Sequence, residues 1–111
     1  MKVNIQFVQT AQKKGVEELV NQNLEKLYSD FERKKLDDLG QKYDWIIGAD
    51  VFFKEEKDTE GKGKICDIRL SLPGPRIFAS SDEDSFESSI AETIRDLQVQ
   101  LKKRKAQMGT H

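Results

Sequence analysis

Hydrophobic and polar residues alternate from the first positions of the chain: Val3, Ile5 and Phe7 are interleaved with Lys2, Asn4 and Gln6. That period of two predicts a strand with one buried face. From about Gln12 the period lengthens. Val16, Leu19, Val20, Leu24, Leu27 and Phe31 recur at three-and-four spacing, which predicts an amphipathic helix with these six on its buried stripe and Thr10 as a plausible N-cap. Beyond Phe31 the pattern loosens. Leu36 and Leu39 continue it poorly and Gly40 is a stop signal, so residues 32–42 read as helix extension or ordered linker, an extra segment before the next strand.

Tyr43 to Lys54 is rich in aromatic and β-branched residues and predicts the second strand, with Trp45, Ile47, Ala49, Val51 and Phe53 on one face. Lys57 to Gly63 reads as a flexible hairpin tip. A third strand follows, with Cys66, Ile68, Leu70 and Leu72 on its apolar face, broken by Pro73-Gly74-Pro75. Arg76 to Ser80 is expected to form a fourth. The final helix is placed from Ser81, with Ser81 and Asp84 approximating a capping box and Phe86, Ile90, Ile94, Leu97 and Leu101 on its buried stripe. The order β-α-β-β-β-α lets both helices cover one face of a four-stranded sheet, a two-layer α+β architecture. A length of 111 residues fits a single domain, 1–111, with residues 106–111 expected as a flexible tail.

Charge refines this picture. Charged residues make up 35% of the chain, yet the formal net charge is −1, so attraction for a polyanion has to come from clustering. The clustering is there. From Asp82 to Glu92 there are five acids and no base, whereas Arg95 to Lys105 holds five bases and one acid, Asp96. A helix macrodipole favours such a gradient, but the four adjacent cations Lys102-Lys103-Arg104-Lys105 exceed what one carbonyl end requires and form a compact positive tip suited to RNA. Read blandly, the same residues are a solvated terminal turn. Lys26 flanks the first helix's apolar stripe and would join this surface if the two helices lie side by side. On the open face of the sheet, Phe52 beside Arg69 offers a lesser possibility of base stacking.

Catalytic and metal chemistry find little material. The only histidine is the last residue, His111, and Cys66 falls in register with Ile68 and Leu70 as a small buried hydrophobe. With no cysteine and histidine set, zinc is not expected, and Asp82, Glu83 and Asp84 read as dipole complements ahead of a divalent-cation site. Gly61-Lys62-Gly63-Lys64 lacks the full spacing of a phosphate-binding loop. No enzyme activity, cofactor, metal or small-molecule substrate is expected. One cysteine, no signal-like N-terminus and no apolar run approaching the roughly 20 residues of a membrane span make a cytoplasmic location the default.

Met1-Lys2-Val3-Asn4-Ile5-Gln6, Leu24-Glu25-Lys26-Leu27, Ala49-Asp50-Val51-Phe52, Asp67-Ile68-Arg69-Leu70-Ser71-Leu72-Pro73-Gly74, Asp84-Ser85-Phe86-Glu87 and Gln100-Leu101-Lys102-Lys103-Arg104-Lys105 together form a series that resembles the ribosome hibernation-promoting factors. These are also called ribosome-associated inhibitor or sigma modulation proteins. The resemblance implies a fold similar to double-stranded-RNA-binding domains and a stationary-phase or stress role in bacteria. It further implies binding to the small ribosomal subunit, between head and body, so that the messenger and transfer-RNA path is occluded. The rRNA-binding positions it implies are Lys26, Lys54, Lys64, Arg95, Lys102, Lys103, Arg104 and Lys105. Asp96-Leu97-Gln98-Val99-Gln100-Leu101 stands where the family often reads Lys-Leu-x-Arg-Gln-Leu, and Asn23 and Ser29 stand where basic residues are common. Ending at His111, the chain resembles a short form without a dimerisation domain. The alternative from the residues is a protein-interaction module that uses the open sheet face or the 32–42 segment.

Overall fold

The computed structural model describes residues 1–8, 16–56 and 62–108, with the side chains of 16–23 outside that description. The elements are β1 (Lys2–Val8), α1 (Val16–Lys42), β2 (Gly48–Glu55), β3 (Lys64–Ser71), β4 (Ile77–Glu83) and α2 (Phe86–Met108). Thr10 and residues 57–61 of the expected hairpin tip lie outside the described residues, as do 109–111 of the expected tail; 106–108 are the last residues of α2.

The strands lie in sequence order, β1-β2-β3-β4. β1 runs parallel to β2, and the other pairs are antiparallel. Ala49, Val51, Phe53, Cys66, Ile68, Leu70, Ile77 and Ala79 are buried beneath the helices, while Asn4, Asp50, Arg69 and Phe78 alternate out to the uncovered face, as the period of a strand requires. The expected two-layer α+β fold is present. α2 buries Ile90, Ile94, Leu97 and Leu101 on one stripe. Two small polar residues tie it to β3: Thr93 donates to the Ser89 carbonyl at 2.6 Å and lies 3.2 Å from the Cys66 carbonyl, and the Ser89 hydroxyl donates to the Lys64 carbonyl.

Three boundaries and one helix face differ from the sequence pattern. β2 begins at Gly48, not Tyr43: Tyr43 is buried at the end of α1, its amide bonded to the Leu39 carbonyl at 2.8 Å, and Ile47 is 65% exposed. β4 runs on through Asp82 and Glu83, so α2 starts at Phe86 rather than Ser81. Its cap is Ser85, whose Oγ accepts the Ser88 amide at 3.1 Å. Asp82 therefore belongs to a strand, where its Oδ1 accepts the Gly63 amide at 2.7 Å, and does not complement a helix dipole.

The larger difference concerns α1. Leu24, Leu27 and Phe31 are exposed, whereas Glu32, Leu36, Leu39 and Tyr43 are buried, so 32–42 is the helix extension of the two expected readings, and it is the half of α1 that packs on the core. Val16, Leu19 and Val20 carry side chains outside the described set. Continuing the buried positions backwards reaches Tyr28, whose ring packs on Phe86 at 5.2 Å. The buried stripe is thus 28, 32, 36, 39 and 43, and the glutamate in its middle masks it.

Glu32 is fully buried, its Oε1 has no hydrogen-bond partner among the described residues, and the Cys66 thiol is 3.8 Å from Oε2. Burial pushes its carboxyl up to about 8, against a small opposing effect of the Cys66 hydrogen bond. The Cys66 thiol is itself pushed up by burial and by Glu32, which makes it an inert core group.

Candidate nucleic-acid interface

Both helices deliver their C-termini to one end of the domain. Tyr28 meets Phe86 near the start of α2, and fifteen residues later the ring of Tyr43 receives Nζ of Lys105 at 5.9 Å from its centroid. The two helices therefore run parallel. Lys42 Nζ lies 5.6 Å from the same ring, so the end of α1 adds a cation to the tip of α2. Sequence reasoning missed Lys42 because its neighbour in space, Lys105, is known only once the helix directions are.

Each helix contributes about half a negative charge at its C-terminus. Together these amount to about one unit against the five cations Lys42, Lys102, Lys103, Arg104 and Lys105, so the dipoles account for only a fraction of the cluster. Lys42, Lys102, Lys103 and Lys105 are exposed, and none forms an ion pair with a carboxylate among the described residues. These lysines can approach phosphates without breaking an ion pair to a described carboxylate.

Arg104 has another task. Its Nη1 donates to the Pro73 carbonyl at 3.2 Å and its Nη2 to the Pro75 carbonyl at 2.9 Å, fastening the β3–β4 turn to α2. Gly74 sits in that turn at φ +92, where a Cβ would stand 3.1 Å from Arg104 Nη1, so glycine is needed for both the backbone angle and the close approach. The fastened turn presents Arg76, exposed at the same end and also missed by the sequence reading. Lys2 opens β1 there, with its amide bonded to the Ile47 carbonyl at 3.3 Å.

The other expected cations stand elsewhere. Lys26 precedes Tyr28 by one helical half-turn, which places it at the Phe86 end; with a rise of 1.5 Å per residue, that is roughly 28 Å from Lys105. The helices do lie side by side, but their parallel directions keep Lys26 out of the basic tip. Lys64 lies at the Phe86 end too, 5.9 Å over its ring and paired with Glu55. Lys54 pairs with Asp67 at 2.9 Å on the open face, and that hydrogen bond and charge raise its pKa. Arg95 pairs with Glu92 at 2.9 Å, a link between neighbouring turns of α2. The fold thus separates an end where cations outnumber the acids Asp37 and Asp44 from an end rich in acids, Glu55, Asp82, Glu83, Asp84 and Glu87, which is how a chain of net charge −1 gathers positive charge at one end.

Among the described residues no group of histidine, cysteine, aspartate or glutamate is placed to hold a metal ion, and no helix is long and apolar enough to cross a membrane. The end of the domain offers charge, a fastened turn and open access.

Comparison with known proteins agrees with this architecture. A solved ribosomal subunit interface protein from Coxiella burnetii is similar over 96% of this chain and 99% of that one, with a TM-score of 0.65 and 24% sequence identity, a likeness of fold. No curated protein matches the chain. The family model described as sigma 54 modulation protein / S30EA ribosomal protein matches residues 3–108, which takes in β1 from its second residue and all of α1, β2, β3, β4 and α2, and the chain therefore belongs to that ribosome-associated family.

Proposed function

We propose that this protein binds the small ribosomal subunit through its basic end, occludes the messenger and transfer-RNA path, and so holds idle ribosomes silent in stationary phase or stress. The single observation behind this reading is the convergence of Lys42, Lys102, Lys103 and Lys105 at the shared C-terminal end of two parallel helices, unpaired with carboxylates among the described residues. The action is steric and electrostatic and needs no bond to be made or broken. With dimensions of 56 × 28 × 18 Å, the domain has the proportions of a plug for a groove. Its place of action is the cytoplasm, its ligand ribosomal RNA. Lys26, Lys54, Lys64 and Arg95 serve as outlying contacts, each ion pair among them exchanging its carboxylate for a phosphate.

Co-sedimentation with isolated small subunits tests this. Four lysines and Arg76 give about five phosphate contacts and the four outlying cations up to about four more, so log affinity should fall with log salt at a slope between about −4 and −8. Changing Lys102, Lys103 and Lys105 together to glutamate should abolish co-sedimentation while the circular dichroism spectrum and melting temperature stay near wild type. Undiminished pelleting of that folded variant defeats the proposal.

One observation favours a second reading as a protein-interaction module: Leu24, Leu27 and Phe31 are 41%, 57% and 39% exposed on one side of α1. The 32–42 segment is a poorer recruiter, because Leu36 and Leu39 are in the core. A protein partner that stays bound after ribonuclease treatment, and is lost on changing Leu27 to lysine, would favour this reading over the first.

A further inference from the structure

Among the described residues, the open face of the sheet carries two aromatics, Phe52, half-buried on β2 and opposite Asp67, and a far more exposed one in the wrong place for a folded core. Phe78 is 53% exposed on β4, flanked by Ile77 and Ala79, which are buried on the opposite face. Its partner across the strands is Arg69, directly opposite and thus about 5 Å away between Cβ atoms. Arg69 is exposed, and no hydrogen bond or ion pair to another described residue holds its guanidinium. Of the acids of this face, Asp50 stands opposite Arg69 on β2 and accepts the Asn4 amide at 3.2 Å, Asp67 is held by Lys54 and Ser80, and Asp82 holds the Gly63 amide.

The position of Phe78 ties it to the basic end. Arg76, exposed, stands two residues before it, just after the turn that Arg104 fastens. On the edge side, the Phe78 carbonyl accepts Nε2 of Gln100 at 2.9 Å, and Gln100 lies one helical turn before Lys103 and Arg104 on α2. An exposed aromatic ring is therefore flanked on the open face by Arg69 and Arg76, cations delivered by β3 and the turn, while α2, with Gln100 and its other partner Asp96, stands behind the edge strand.

From this we infer that Phe78 is a stacking platform for an unpaired base of single-stranded RNA, with Arg69 and Arg76 taking the flanking phosphates. The inference rests on the RNA-binding reading of the basic end and narrows it, from phosphate attraction alone to recognition of a strand whose bases are free. A duplex hides its base faces within the stack and presents phosphates, 2′-hydroxyls and base edges, so it can use the lysine tip but not stack on Phe78. Every base has a π-face, so the platform accepts any sequence. Lys54 neutralises Asp67, and Asp50, although it stands opposite Arg69 on β2, forms no ion pair with it among the described residues, so the Arg69 guanidinium is available to a phosphate.

Fluorescence anisotropy with two labelled probes, a twelve-nucleotide oligouridine and a twelve-base-pair RNA duplex, separates these contributions. Phe78→Ala should weaken the oligouridine by roughly tenfold, within the range for loss of one aromatic–base stack, and leave the duplex unchanged. Phe78→Trp should restore the single-strand affinity. Arg69→Ala should reduce the salt slope for oligouridine by about 0.7, one phosphate contact. Phe78 is exposed, so the melting temperature of Phe78→Ala should stay within a few degrees of wild type.

Equal binding of oligouridine by wild type and Phe78→Ala overturns the inference, as does an equal loss on both probes or a wild type that binds no single strand. Those results leave the ribosome reading to be judged by pelleting of the lysine-tip variant. If the lysine-tip variant pellets undiminished while Phe78→Ala still loses oligouridine, the ribosome reading falls and the stacking site stands.

Discussion

Changing Glu32 to glutamine should make the protein more stable at neutral and mildly alkaline pH, by an amount that grows with pH. The folded carboxyl is pushed from 4.5 to about 8 by burial, while in the unfolded chain it titrates near 4.5. Between those values the native state keeps a proton that the unfolded state has lost. Stability therefore falls as pH rises through this window, by about 1.36 kcal/mol per unit, and levels off above the folded value. Glutamine keeps the shape and has no proton to lose. The stability difference between variant and wild type should widen by about 3–4 kcal/mol between pH 5 and pH 8, a large share of the 5–15 kcal/mol that holds a typical domain together. Urea unfolding at half-unit intervals from pH 5 to 8.5 measures it, and subtracting the two curves removes every other titrating group. Parallel curves would refute the argument, because they would mean that Glu32 reaches water or a partner in the folded state.

Three further outcomes follow from the same packing. Leu36→Ala should cost roughly 2–5 kcal/mol for a cavity at a fully buried site, whereas Leu27→Gln, at a 57% exposed site, should change urea stability by less than about 0.5 kcal/mol; the reverse order would restore the stripe expected from the sequence. Gly74→Ala meets both a φ of +92 and Arg104, so it should cost on the order of 1–2 kcal/mol, or roughly 5–10 °C in melting temperature for a domain of this size. The Cys66 thiol, buried and raised in pKa, should resist a thiol-specific reagent at pH 8 in the native protein and react within minutes in 6 M guanidinium. Fast native labelling would show that the layer between α1 and β3 opens readily.

The element order was legible in residues 1–108 because period-two and period-3.6 patterns are local properties of the chain. β3 illustrates this. Cys66, Ile68, Leu70 and Leu72 alternate cleanly, and all four are buried. α2 showed its stripe equally well, although its start was misplaced because Ser81-Asp82-Glu83 has the composition of a helix cap and the pairing of a strand, Cys66 opposite Ser81 and Ile65 opposite Asp82. Ladder hydrogen bonds with a strand fifteen residues earlier outweighed local capping preference.

The basic run from Lys102 to Lys105 could be read directly, since adjacency in sequence is adjacency in space. What could not be read was its company. Lys42 and Arg76 join it, and Lys26 does not, because α1 and α2 run parallel and because Arg104 fastens a turn thirty-one residues away.

By itself, then, the amino-acid sequence determined the kinds of element, their order, the face that α2 buries and the existence of a positive tip. Tertiary structure alone decided which face of α1 is inside. A desolvated carboxyl is a cost no local pattern anticipates, and α1 accepts it because rotating the Leu24, Leu27 and Phe31 face inward would take Leu36, Leu39 and Tyr43 out of the core. It also decided which cations are free, since whether a lysine meets a carboxylate, an aromatic ring or only water depends on strands and helices that the chain brings together from far apart.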